Sequence, residues 1–90
     1  KNITVSIDGI TKETFEATRI GANFEKVMNN LDLMVKEFGS DNVCINYTIK
    51  KPNFKDRNVK EFFLKNFNIR WVFVAYDCFD EEAKKVFGEM

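Results

Sequence analysis

Ile3-Thr4-Val5-Ser6-Ile7-Asp8-Gly9 alternates apolar and polar side chains and then turns at a glycine. Period two over residues 3–8 predicts a strand with one apolar and one polar face. Thr11 stands where an N-cap belongs, before a short helix that carries Phe15 and Ala17, with Arg19 further along. Gly21 and Asn23 interrupt that helix, and Asn23 is placed to cap a second one. Its apolar positions Phe24, Val27, Met28, Leu31, Met34, Val35 and Phe38 recur at three and four residues. Gly39 then falls where a left-handed C-terminal residue belongs. A strand that ends in small polar groups and feeds a helix through a glycine is how a parallel sheet builds a ligand site.

Beyond the Ser40-Asp41-Asn42 turn, Val43, Ile45, Tyr47 and Ile49 mark one face of a second strand, and Cys44, Asn46 and Thr48 the other. Pro52 ends it, because proline lacks the donor a ladder needs. Asn58 is placed to cap a helix bearing Val59, Phe62, Phe63 and Phe67. Residues 69–76 are apolar on both faces and predict a third, fully buried strand. Asp80, Glu81 and Glu82 open a last helix with negative charge at its positive end, and Ala83, Val86, Phe87 and Met90 form its inner side.

Strands joined through helices run parallel. The predicted fold class for residues 1–90 is therefore a single α/β unit of three consecutive βα units with parallel strands. One conflict stands out. A parallel sheet covered on both faces is near-continuously hydrophobic, yet Thr4-Ser6-Asp8 and Cys44-Asn46-Thr48 form matching small polar stripes. Helices then cover only the apolar face of these strands, and the other meets water, a cavity or a ligand, as in an open α/β barrel.

Composition narrows the function classes. The 90 residues carry 14 basic and 14 acidic side chains, a formal charge of +0. No basic cluster offers a phosphate-neutralising surface, so nucleic acid is not an expected partner. No apolar run approaches the roughly 20 residues of a membrane span, and no signal-like segment opens the chain. The chain begins with Lys1 and not Met, which points to a natural amino terminus upstream. Histidine is absent, and Cys44 and Cys78 lie far apart, so no zinc-ligand spacing exists. Two unpaired thiols fit a reducing cytoplasm.

The candidate site residues follow from the stripes. Asp8 ends the first strand with Ser6 one pleat below, and a carboxylate there accepts hydrogen bonds from a ribose diol. Arg19, on the helical segment beyond the loop, has the fork that matches a carboxylate. Ribose on one side and a carboxylate on the other describe an aminoacylated nucleoside. Plainer readings exist for the same residues. A strand-terminal Asp before Gly is as often a turn-former, and a single helical arginine is usually solvated or surface-paired. Trp71, Tyr47 and Tyr76, with the phenylalanine stripe, read as core, and Lys50-Lys51 and Lys84-Lys85 as solvated faces.

Residues 6–16, then Arg19, then residues 21–27 and Asn30-Leu31 resemble the fourth strand and following helix of radical S-adenosylmethionine enzymes. The likeness is nearest to subfamilies with an additional cluster-binding extension, which modify peptides or occur near cell-surface polysaccharide genes. Residues 44–49, with Asn53 just after them, are similar to the fifth strand and its exit, and residues 69–76 to the sixth. The resemblance implies the later half of a six-stranded partial (β/α)6 barrel. It places Ser6 and Asp8 near the ribose and amino-acid portion of S-adenosylmethionine, Arg19 at its carboxylate, and Asn46 and Thr48 toward its adenosyl part. The family's Cys-x-x-x-Cys-x-x-Cys loop for a 4Fe-4S cluster is absent, and neither Cys44 nor Cys78 replaces it. The resemblance thus implies a fragment, inactive alone, whose partners are the remainder of the barrel and a peptide or saccharide-precursor substrate. The rival expectation is a free-standing, non-enzymatic α/β module whose polar stripes face solvent. Strands with the look of interior neighbours favour the fragment and predict self-association or marginal stability of the isolated chain.

Overall fold

The alternation around Val43 builds the centre of the molecule. The computed structural model describes residues 2–90. Its elements are β1 (Ile3–Ser6), α1 (Lys12–Thr18), α2 (Phe24–Phe38), β2 (Val43–Thr48), α3 (Val59–Phe67), β3 (Trp71–Ala75) and α4 (Glu81–Glu89). Short 3-10 turns occupy Ser40–Asn42 and Lys51–Asn53. The strands form one parallel sheet in the order β1-β2-β3, with Val5 opposite Ile45 and Ile45 opposite Val72.

Sequential order has a geometric consequence. Right-handed crossovers that always step the same way place every helix on the same face. Accordingly Ile7, Val43, Ile45, Tyr47 and Val72 from the sheet share one core with Phe15, Leu31, Val59, Phe63, Ala83 and Val86 from the helices. Full burial of such side chains contributes roughly 1.5–3 kcal/mol each. The Phe15 and Phe24 rings, 5.7 Å apart, join α1 to α2.

Local signals act where the sequence puts them. Thr11 caps α1 by accepting from the Thr14 amide, and the Thr14 hydroxyl accepts from the Thr11 amide in return. Asn23 caps α2 through the Lys26 amide, and Asp80 caps α4 through the Glu82 and Ala83 amides. Gly39 closes α2 at φ 88° and ψ 142°, a region essentially reserved for glycine. Asn58 departs from expectation. It occupies the N-cap position of α3 at φ 57° and ψ 41° with no side-chain cap bond.

The uncovered sheet face carries the second correction. In register, it presents Thr4, Cys44 and Trp71 in one row and Ser6, Asn46 and Phe73 in the next, with Thr48 beside Ala75. Residues 69–76 predict a strand buried on both faces, but Trp71 is 53% and Phe73 57% exposed. A single layer of helices leaves them bare, so Trp71 is not core. The phenylalanines are likewise not all core, since Phe38, Phe79 and Phe87 are exposed, Phe87 with one face stacked on Tyr76. The first strand also stops at Ser6, two residues short of Asp8, for a reason found at its carboxyl end.

Candidate functional site

The β1–β2 ladder does not stop at Ser6 for want of partners; side chains take it over. The Ile7 amide still donates to the Asn46 carbonyl. The next ladder donor, the Thr48 amide, bonds instead to Asp8 Oδ1 at 2.9 Å. The Asn53 side-chain amide donates to the Thr48 carbonyl at 2.9 Å and to the Asp8 carbonyl at 3.1 Å. Its own oxygen accepts from the Lys50 amide. A carboxylate and a carboxamide thus replace two rungs of backbone, which lets β1 diverge toward α1.

Asp8 is thereby fixed and buried, its side chain 4% exposed. Its second oxygen, Oδ2, meets Arg19 Nη2 at 3.3 Å and Lys50 Nζ at 3.7 Å. Arg19 stands one residue past α1, its amide bonded to the Phe15 carbonyl. The sequence expectation brought Asp8 and Arg19 to one ligand; the structure brings them to each other. Ser6 and Asn46 are exposed and adjacent on the open face, and Thr48 is half-buried beside them. Lys50, read from the sequence as a solvated face, is half-exposed with its head on Asp8. Neither a family model, nor a curated protein, nor a solved structure matches this chain.

A second buried carboxylate lies behind the first, and sequence reasoning missed it. Asp56 accepts from the Tyr47 hydroxyl at 2.7 Å, the Thr14 hydroxyl at 2.9 Å and the Ile10 amide at 3.1 Å. It ties the start of α1 to β2 and to the turn that follows β2. One signal was available. Tyr47 lies on the core face of its strand, and a buried phenol needs an acceptor. Asp56 is an acidic residue in the polar stretch just beyond that strand. No buried side-chain donor or acceptor among the described residues lacks a partner.

Burial, and the hydrogen bond and proximity of Asp56, raise the Tyr47 pKa far above its ordinary value. The unfolded chain ionises this tyrosine near pH 10, whereas the folded chain keeps it neutral. Its contribution is therefore complete below pH 10 and is lost as pH rises above that value. Folding stability is expected to fall by up to about 1.4 kcal/mol per pH unit from this group between pH 10 and 11.5. Tyr47→Phe removes that part of the slope. Urea unfolding at each pH checks it, and equal slopes in both proteins would reject the assignment.

Cys44 is half-buried on the open face and Cys78 is exposed, both unpaired. Among the described residues no three Cys, His, Asp or Glu side chains gather as a metal site, and no helix is long and apolar enough to cross a membrane.

Proposed function

We propose that this stretch is the later half of a radical S-adenosylmethionine domain, where it positions the cofactor and walls the cavity. The open sheet face carries this reading. Ser6, Asn46 and Thr48 line it side by side at the carboxyl half of the strands, with Arg19 at the rim, and ligands of parallel sheets sit beyond strand carboxyl ends. Sequential strand order with one helix layer is also the pattern of a barrel wall.

In the family that the sequence resembles, the cofactor and a reduced 4Fe-4S cluster supply hydrogen-atom abstraction. The cluster's ligands belong outside this chain. Within it, Arg19 meets the carboxylate of the bound cofactor, and the Ser6 hydroxyl and Asn46 amide hydrogen-bond the ribose and adenosyl portions. Asp8 contributes by holding Arg19 and by shaping the end of β1, with Thr48 held beside it through its amide. Trp71 and Phe73 line the cavity in which a peptide or saccharide precursor reacts. The unpaired edges of β1 and β3 receive the rest of the barrel, or another copy when the chain is isolated.

One observation favours a second reading, a free-standing α/β binding or interaction module. The Asp8 carboxylate is already engaged by Thr48, Arg19 and Lys50, as a purely structural residue would be. The coding sequence upstream of Lys1 separates the two. The expected result is a Cys-x-x-x-Cys-x-x-Cys motif roughly 70–120 residues earlier, three βα units of about 30 residues each. A start codon directly before Lys1 rejects the barrel reading.

A further inference from the structure

Sheets built wholly of parallel strands are almost always covered on both faces, and here the helices take only one. The bare face is also uncharged. None of the residues that it presents in register, from Thr4 to Ala75, carries a charge, in a chain of which 31% is charged. Trp71 and Phe73 stand on it 53% and 57% exposed. Side chains of 150–250 Å² bared to that extent offer roughly 200 Å² between them. With the smaller residues beside them the face offers on the order of 500 Å², the size of the largest patch on a typical monomer, and such patches often mark interaction sites.

We propose that a second copy of this chain packs on the open face, sheet against sheet, with a helix layer on each outer side. Charge, area and the two ends of the face select this occupant. Twofold pairing sets residues near the axis against their own copies, where any charge would meet its like; Asn46 and Phe73, at the middle of the face, carry none. A nucleic acid would need cations there, and an extended peptide adds to a sheet edge and not to its face. Two copies bury on the order of 1,000 Å² in total, where specific interfaces begin.

The ends of the central strand set the orientation. Asp41 lines a cavity of about 390 Å³ at the amino end, with Asn2, Cys44, Trp71 and Phe73. Lys50 follows β2 at the other end with extended backbone, φ −136° and ψ 157°, so alternation puts it on the side of Asn46 and Thr48. Its side chain is 51% exposed and touches Asp8 only at 3.7 Å. Antiparallel stacking brings each Lys50 toward the other copy's Asp41 and lays bulky Trp71 over small Ala75, whereas parallel stacking sets like charges together. The inference concerns the 90-residue chain and holds under either functional reading. A barrel encloses this face with its own further strands, and without them the second copy does so.

The test is sedimentation equilibrium of the 90-residue chain over about a hundredfold range of concentration, wide enough to bracket a weak pair. A monomer–dimer equilibrium is expected. Trp71 is the one tryptophan of the chain, so its emission moves to shorter wavelength as the dimer fills. Cys44 separates face pairing from edge pairing. It lies on the open face of β2, the central strand, which a copy added beside β1 or β3 leaves bare. In a Cys78→Ser variant, labelling of Cys44 by a thiol reagent slows as the dimer fills, with the face itself unaltered. Phe73→Asp sets two carboxylates near the axis and weakens pairing by at least about tenfold. Ile20→Asp, between α1 and α2 and 94% exposed before substitution, leaves it unchanged. A chain that stays monomeric overturns the proposal, as does a dimer whose Cys44 labels as fast as the monomer's. Equal weakening by Phe73→Asp and Ile20→Asp overturns it too. Each of these failures leaves the barrel reading standing, because the upstream coding sequence decides that separately.

Discussion

Asp56→Ala is expected to lower the free energy of unfolding by about 3–5 kcal/mol, a large share of the stability of a domain this size. Its carboxylate accepts from the Tyr47 hydroxyl, the Thr14 hydroxyl and the Ile10 amide, and Asp56 is 3% exposed. Removing the acceptor leaves the Ile10 amide unpaired, the Tyr47 hydroxyl with only a long bond to the Asn53 carbonyl at 3.5 Å, and the Thr14 hydroxyl with Thr11, whose carbonyl lies 3.4 Å away. Each such loss costs about 1–3 kcal/mol, and the sum is reduced where water or rotation supplies a substitute. Asp56→Asn retains an acceptor oxygen and sets an amide N–H against a donor, so it falls between wild type and alanine. Exposed Asp41→Ala is the control and stays within about 0.5 kcal/mol. Urea unfolding followed by far-ultraviolet circular dichroism gives all four values. An Asp56→Ala effect below 1 kcal/mol would mean that the three donors find other partners, and the network would then not be what fixes α1 to β2.

The residues of that network show where sequence reading reaches its limit. Strand alternation at Val43, Ile45, Tyr47 and Ile49 was legible because burial of one face imposes period two. The caps Thr11, Asn23 and Asp80 were legible because each satisfies amides a few residues away, within its own sequence window. Contacts between distant residues were not. Asp56 meets Thr14 across 42 positions and Ile10 across 46, and no local pattern encodes that pairing. The end of β1 was misplaced for the same reason, since the Asp8 carboxylate competes with backbone for the Thr48 amide 40 residues on. The third strand failed differently. Trp71, Phe73 and Ala75 are apolar whether they face a core, a missing neighbour or water, and composition cannot tell these apart. Of the candidate residues, Ser6 and Asn46 share a face as strand alternation implies, but the sequence set Asp8 and Arg19 on a ligand and not on each other, and it did not bring Lys50 to Asp8.

Gly9→Ala is expected to cost about 2–4 kcal/mol and to separate Arg19 from Asp8 in the same step. A Cβ at Gly9 would lie 2.3 Å from both the Cα and the backbone nitrogen of Phe15, and 2.8 Å from its Cβ. Contacts with the backbone of a helix cannot be relieved by a rotamer change, so α1 itself must move. Phe15, 2% exposed, is its main anchor in the core and moves with it. The same displacement carries Arg19, whose amide is bonded to the Phe15 carbonyl and whose head lies 3.3 Å from Asp8. Gly9 therefore sets the distance between strand and helix that assembles the cation pair. Two readouts follow. Urea unfolding measures the loss of stability, and the Arg19 Nε–H resonance reports whether the guanidinium still meets the carboxylate. Gly88→Ala is the control, because a Cβ there meets nothing within 4 Å and the residue lies within α4. A Gly9→Ala protein as stable as wild type would show that α1 tolerates displacement. An unchanged Arg19 resonance in a destabilised one would show that the pair forms without the close approach of β1 and α1.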